Sequence, residues 1–281
     1  MSLAEVISGL KAGKIVPYLG PGALDPDQGF PTSAEQLAKE LGARVAVPHR
    51  LRGHLSATAQ YIESFKHRKT LVKLLGEIFK NPADPGELHR LLAQLPTPLI
   101  VDAWYSDAMA RALLAHNRFG LVQGVSRADC PSEWVRYYHA DGTQAEPEEA
   151  QSWPTLLYQP LGAVAPAGNF VISDSDFVEI LTEIDIQTPI PERVKELRCG
   201  RQFLFLGCRF TTQLDRIFAR QIAKRSAGRH FAVIAGELTR NEARFLEEQH
   251  IARIELELGE FLAQLKEGIK ASQEVYALPV E

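Results

Sequence analysis

The sequence predicts an α/β protein built on a doubly wound parallel sheet with a helical insertion. Three observations carry that expectation. Short, nearly all-apolar runs such as IVPYLG (15–20) and RQFLFLG (201–207) suit strands buried on both faces. Amphipathic helical stretches alternate with such runs, as TTQLDRIFARQIAKR does after the second. A loop dense in Gly, Pro and Asp, GPGALDPDQGFP, follows the first run and precedes a helix.

In chain order, AEVISGLKAGK reads as a helix with Val6, Ile7 and Leu10 on one side, ended by Gly13. After IVPYLG and the loop, Thr32 or Ser33 is a suitable N-cap for a helix carrying Leu37, Ala38 and Leu41. Residues 52–95 read as helical throughout, punctuated by NPADPG, and form an insertion spanning about 46–95. TPLIVDA (97–103) is the next strand, AMARALLAH a helix, and FGLVQGV (119–125) another strand. A smaller insertion, about 124–154, holds turn formers and WVRYYHADG, a candidate hairpin piece. TLLYQPLG is a strand that stops at Pro160 and Gly162. A third insertion, about 163–199, contains the helices DSDFVEILTEI and RVKELRCG. RQFLFLG and its helix, HFAVIAG, TRNEARFLEEQH, IARIEL and GEFLAQLKEGIKA complete a single domain over 1–272, with 273–281 as a frayed tail.

Composition narrows the function classes. The 281 residues are 45% hydrophobic, enough for a large core, and the formal charge of −4 argues against a general nucleic-acid binder. No apolar run approaches the ~20 residues of a membrane-spanning helix, and the N-terminus lacks the pattern of an export signal. A cytoplasmic protein is expected. Cys130, Cys199 and Cys208 form no CxxC pair, which argues against a disulfide framework and a four-thiolate zinc ribbon.

Gly20, Gly22 and Gly29 lie between a strand and a helix. Glycine lets backbone approach a pyrophosphate, and a helix N-terminus supplies oriented N–H donors. The spacing is GxGx6G rather than GxGxxG, so a plain connecting loop is an equal reading.

Four blocks in order resemble the sirtuin-like NAD-binding family, in particular its bacterial zinc-free branch. GKIVPYLGPGALDPDQGFPTSAEQLAKEL is similar to the family's nucleotide loop, and LHRLLAQLPTPLIVDAWYSDAMARAL to the segment leading to TTNYD. LLYQPLG with NFVISDSDFVEIL is similar to the KxHG region, and FLFLGCRFTTQLDRIF to the strand and helix of FLFxGxSxxD. The resemblance spans residues 13–218 and implies a Rossmann-like fold that binds NAD or ADP-ribose without zinc. On that resemblance Gly20, Gly22, Gly29, Trp104, Gly207 and Arg209 are the cofactor-binding candidates.

The catalytic positions depart from the family. Leu161 stands where the resemblance implies the histidine base, and Trp104 where it implies the asparagine. Pro21 and Leu24 replace the alanine and serine of GAGxS, and Arg209 the serine of GxS. Leucine has no lone pair to accept a proton, and an indole offers a donor but no acceptor. An indole still offers a face for stacking on a nicotinamide or adenine ring. His139 is a weak substitute base. His116, Asp102 and Asp107 are either polar contacts of a displaced site or ordinary loop polarity, with Asp107 starting a helix. His230, at the start of a strand, reads as a capping or half-buried residue.

Arg209 sits at the carboxyl edge of the expected sheet, where its guanidinium would grip a phosphate or make a surface ion pair. Cys208 beside it reads as a buried inert thiol. HRLRGH (49–54) and KHRK (66–69) read as solvated basic faces, with recognition of an anionic partner as the alternative, and SDSDFVE (173–179) reads as helix capping without a metal.

Three functions follow. The first is a non-catalytic holder of NAD, ADP-ribose or a related nucleotide, acting as sensor or scaffold. The second is an NAD glycohydrolase with a relocated base such as His139. The third is an interaction protein whose pocket is closed by Pro21, Leu24, Trp104 and Leu161. A homo-oligomer or a protein partner fits any of them.

Overall fold

A computed structural model describes residues 3–115, 119–183 and 189–276. The chain begins with α1 (Leu3–Lys11) and β1 (Ile15–Leu19), and the Gly/Pro loop holds two 3-10 turns before α2 (Ala34–Arg44). Next come α3 (Leu55–Lys66), α4 (Arg68–Ile78), α5 (Glu87–Ala93), β2 (Leu99–Asp102) and α6 (Ala108–Leu114). Four strands follow: β3 (Phe119–Gly124), β4 (Val135–His139), β5 (Gln144–Ala145) and β6 (Thr155–Gln159). The short hairpin of β7 (Gly162–Ala163) and β8 (Asn169–Phe170) leads to α7 (Asp174–Glu183) and α8 (Glu192–Arg198). The chain closes with β9 (Gln202–Leu206), α9 (Gln213–Ala223), β10 (His230–Val233), α10 (Arg240–Glu248), β11 (Ile251–Ile254) and α11 (Leu258–Tyr276). This last helix runs past the expected boundary at 272, and residues 277–281 lie outside the described residues.

The Rossmann-like sheet expected from the sequence is present. Its order is β11-β10-β9-β1-β2-β6-β3-β4-β5, with every pairing from β11 to β3 parallel and only β4 and β5 antiparallel. The candidate hairpin piece is therefore real: β4 returns along β3 with Gly120 opposite His139. β1 carries Pro17 in mid-sheet, and its pairing with β2 is registered only from Tyr18 onward. Proline has no N–H to give to a ladder.

Strand residues alternate between two cores, as a sheet covered on both faces requires. Val16, Tyr18, Phe203 and Phe205 face the core shared with α2–α4 and α8–α10, whereas Ile15, Leu19, Leu204 and Leu206 face that of α1, α5, α6 and α11. Ser33 caps α2 by accepting the Gln36 N–H at 3.2 Å. From β1 the sheet grows one way through β2, β6 and β3, and from β9 the other way through β10 and β11. The β1/β9 boundary is thus the topological switch point, where doubly wound folds bind ligands beyond the carboxyl ends of their strands.

Candidate functional site

The loops after β1 and β9 meet at that switch point, which brings Gly20, Gly22 and Gly207 together. A Cβ on Gly20 would lie 2.7 Å from both the Cys208 Sγ and the Gly207 carbonyl. Gly207 has φ +64°, and a Cβ there would sit 2.1 Å from the Ala23 nitrogen. These glycines permit one loop to pack on the other. Gly29 stands apart: it closes the second 3-10 turn at φ +75°, with no atom within 4 Å of the Cβ position.

The amides of the glycine loop are already bonded. Gly20 donates to the Leu206 carbonyl and Gly22 to that of Gly207, each at 2.9 Å. Ala23 donates to Gly20 and Leu24 to Pro21, while Pro21 has no N–H. A pyrophosphate needs free amides aimed at it, and the loop in this conformation offers none from 20 to 24.

Side chains fill the space above β1, β2 and β6. Trp104 is buried, and its Nε1–H donates to the Pro31 carbonyl at 3.0 Å. Its ring lies 5.0 Å from Tyr105 and edge-on to Phe79, so neighbouring rings already contact it. Phe79 in turn stacks on Phe30 at 6.0 Å. Leu24 and Leu161 are buried in the same core, and the Tyr105 hydroxyl donates to the Val171 carbonyl. Trp104 and Leu161, the residues that the resemblance set at the asparagine and histidine positions, are therefore both packed into this core.

Arg209 takes the ion-pair alternative. Its Nε and a terminal nitrogen meet both Glu242 oxygens at 2.8 and 2.9 Å, and it also donates to the Glu237 carbonyl. Burial opposes ionisation of Glu242, but hydrogen bonds from Arg209, Thr239 and the Phe210 amide outweigh it and hold its pKa down at about 2. Cys208 is buried, and desolvation pushes its thiol well above the ordinary range.

His139 lies far from this edge. Its partner Gly120 is near the start of β3, so the imidazole belongs to the amino-terminal edge, whereas Gly20 follows the carboxyl end of β1. There His139 Nε2 is 3.4 Å from Glu149, with its ring edge-on to Trp153. His116 lies outside the described residues. His230 is buried, and its Nδ1 accepts the Phe203 N–H at 3.0 Å.

Asp102, expected as a polar contact of a displaced site or as loop polarity, is instead the last residue of β2. At the end of β2 it is buried, and burial pushes its carboxyl up to about 8 against hydrogen bonds from Gln159 and the Trp104 amide. Its Oδ2 has no hydrogen-bond partner. Gln159 also bonds Gln123 (2.7 Å) and the Ser106 carbonyl (3.2 Å), forming a buried amide chain beside the filled cleft. Its burial follows from its place directly after three apolar strand positions, Leu99, Ile100 and Val101. Asp107 caps no backbone amide of α6 with its side chain and instead accepts the Ala83 N–H at 3.0 Å.

Among the described residues no group of three or more His, Cys, Asp or Glu side chains is placed to hold a metal, and no helix is long and apolar enough to cross a membrane. A family model described as a SIR2-like domain matches residues 98–254, the stretch from β2 to the end of β11. The glycine loop and the helices of 46–95 precede the matched region. No curated protein matches the chain.

Proposed function

The chain belongs to the SIR2-like family, and on that premise we propose that it is a non-catalytic member, a scaffold whose nucleotide cleft is closed by its own side chains. The observation that carries this reading is the bonded state of the glycine loop, whose amides at 20 and 22–24 are spent on protein carbonyls. NAD does not fit the cleft in this conformation, because Trp104, Leu24 and Leu161 occupy it and Arg209 is engaged by Glu242. Leu161 supplies no base for chemistry at a ribose. His139 is a poor replacement, since strand register places it at the opposite edge. In this reading the work is done by surfaces, toward a protein partner or a second copy, in the cytoplasm. Residues 46–95, 124–154 and 163–199 are then elaborations of one domain over 1–272.

A second reading, a sensor that opens to admit NAD or ADP-ribose, is favoured by one observation. The Oδ2 of Asp102, at the carboxyl end of β2, is a buried polar atom with no hydrogen-bond partner.

The experiment is nicotinamide release from NAD by the pure chain. Release no faster than in a protein-free control is expected. Turnover retained by the pure chain overturns the non-catalytic reading, and its loss in His139→Ala would assign the base.

A further inference from the structure

A cavity of about 670 Å³ lies across the starts of β1, β9 and β10, at the amino-terminal edge of the sheet. Its volume falls within the range of small-molecule sites. It shares none of its lining with the cleft at the other edge.

Three cations line it, and each directly precedes its strand: Lys14 before β1, Arg201 before β9 and Arg229 before β10. These strands are parallel neighbours in the order β10-β9-β1. Adjacent strands lie about 4.8 Å apart, so the three positions span about 10 Å. No carboxylate lines the cavity among the described residues. Glu247 borders an adjoining cavity that shares Gly228 and Arg229, and it makes no ion pair with Arg229.

Arg201 is the fixed member of the row. Its Nε donates to the Gly13 carbonyl at 3.0 Å and one terminal nitrogen to the Leu197 carbonyl at 2.6 Å. The other terminal nitrogen has no partner among the described residues. Carbonyls orient a guanidinium without neutralising it, so its charge is left for an anion. Carbonyls at the ends of α1 and α8 would repel an anion, and Arg201 covers two of them. Lys14 and Arg229 are exposed, and neither forms an ion pair among the described residues. Arg229 lies over the Phe231 ring at 5.9 Å. Gly200 and Gly228 have no atom within 4 Å of their Cβ positions, which leaves the mouth open.

A row of three cations without opposing acids suits several negative charges along a chain, and phosphate oxygens match guanidinium and ammonium donors alike. We propose that this cavity binds a short phosphate chain, free or carried on a nucleoside. Arg201 holds its middle, and Lys14 and Arg229 hold its ends. The site stands whether the cleft at the other edge is open or closed.

Calorimetric titration of the full chain with tripolyphosphate and with adenosine triphosphate, in buffer without divalent cations, tests this. One saturable site per chain is expected. Comparable affinities identify the free chain as sufficient, and binding of the nucleotide alone identifies a carried one. Lys14→Ala and Arg229→Ala, which remove exposed side chains, should each weaken binding about tenfold. Gly228→Glu sets a carboxylate in open space, and should abolish binding while leaving the melting temperature near that of the parent. Cys199 lines the cavity and is the exposed one of the three cysteines, so saturating ligand should slow its reaction with an anionic disulfide reagent. Absence of saturable binding, affinity unchanged in Lys14→Ala and Arg229→Ala, or full-rate labelling of Cys199 at saturation overturns the proposal.

Discussion

Trp104 and Leu161, which the proposed reading sets at the family's asparagine and histidine positions, are both buried in the packed interior. Each is buried among aromatic and aliphatic neighbours, and the one polar atom between their side chains, the indole N–H, is satisfied by Pro31. Their identity was plain in the sequence, and so was the loss of proton-accepting capacity. Whether they reshape or fill the cleft was not, because that depends on Phe30 and Phe79, which come from a loop and from the turn that ends α4, both distant in sequence. Asp102 was still less legible, since burial depends on the packing of neighbouring segments rather than on its own strand. Its carboxyl sits at about 8 in the folded chain against about 3.8 when exposed. Between those values the unfolded chain has released a proton that the folded chain keeps, so this group lowers stability as pH rises from about 4 to about 8. Asp102→Asn is expected to remove that slope and to be more stable than the parent at about pH 8. Urea midpoints at about pH 5 and about pH 8 measure it; parallel slopes for the two proteins would contradict the assignment.

Elements were read more easily than contacts. β1, β2, β3, β6 and β9 follow from apolar runs bounded by Gly or Pro, and α2 from its serine cap. The KHRK stretch was expected to be a solvated face, and Arg68 departs from it. Its guanidinium is largely buried at the start of α4 and meets Glu63 on α3, Asp176 on α7 and Asp129. It also donates to the Phe170 carbonyl. Asp176 accepts the Ile172 and Ser173 amides as well, so its acidic run does cap α7, but it additionally anchors the helical segment. No local pattern could pair residue 68 with residue 176. Removing one member of a buried pair strands the other charge. Arg68→Ala is expected to lose about 3–5 kcal/mol of stability, and limited proteolysis should cut first within α3 and α4. A loss below about 1 kcal/mol, as for an exposed pair, would contradict this.

On the scale of the whole molecule, the sheet has two unlike edges. The carboxyl-terminal edge, where a doubly wound fold holds its ligand, carries glycine-on-glycine packing and buried aromatic rings, which the proposed reading takes as a closed cleft. Between α9, α10 and the starts of β10 and β11, toward the amino-terminal edge, lies a cavity of about 390 Å³. Strand alternation made the architecture legible, and the order of motifs made the family legible. The state of each edge emerged only from hydrogen bonds between loops such as 20–24 and 206–207. Calorimetric titration of the pure chain with ADP-ribose tests the closed cleft most directly. No saturable heat is expected. A one-to-one isotherm that weakens in Arg209→Ala would show that the loop amides and the guanidinium are available to a phosphate, and would contradict the closed cleft.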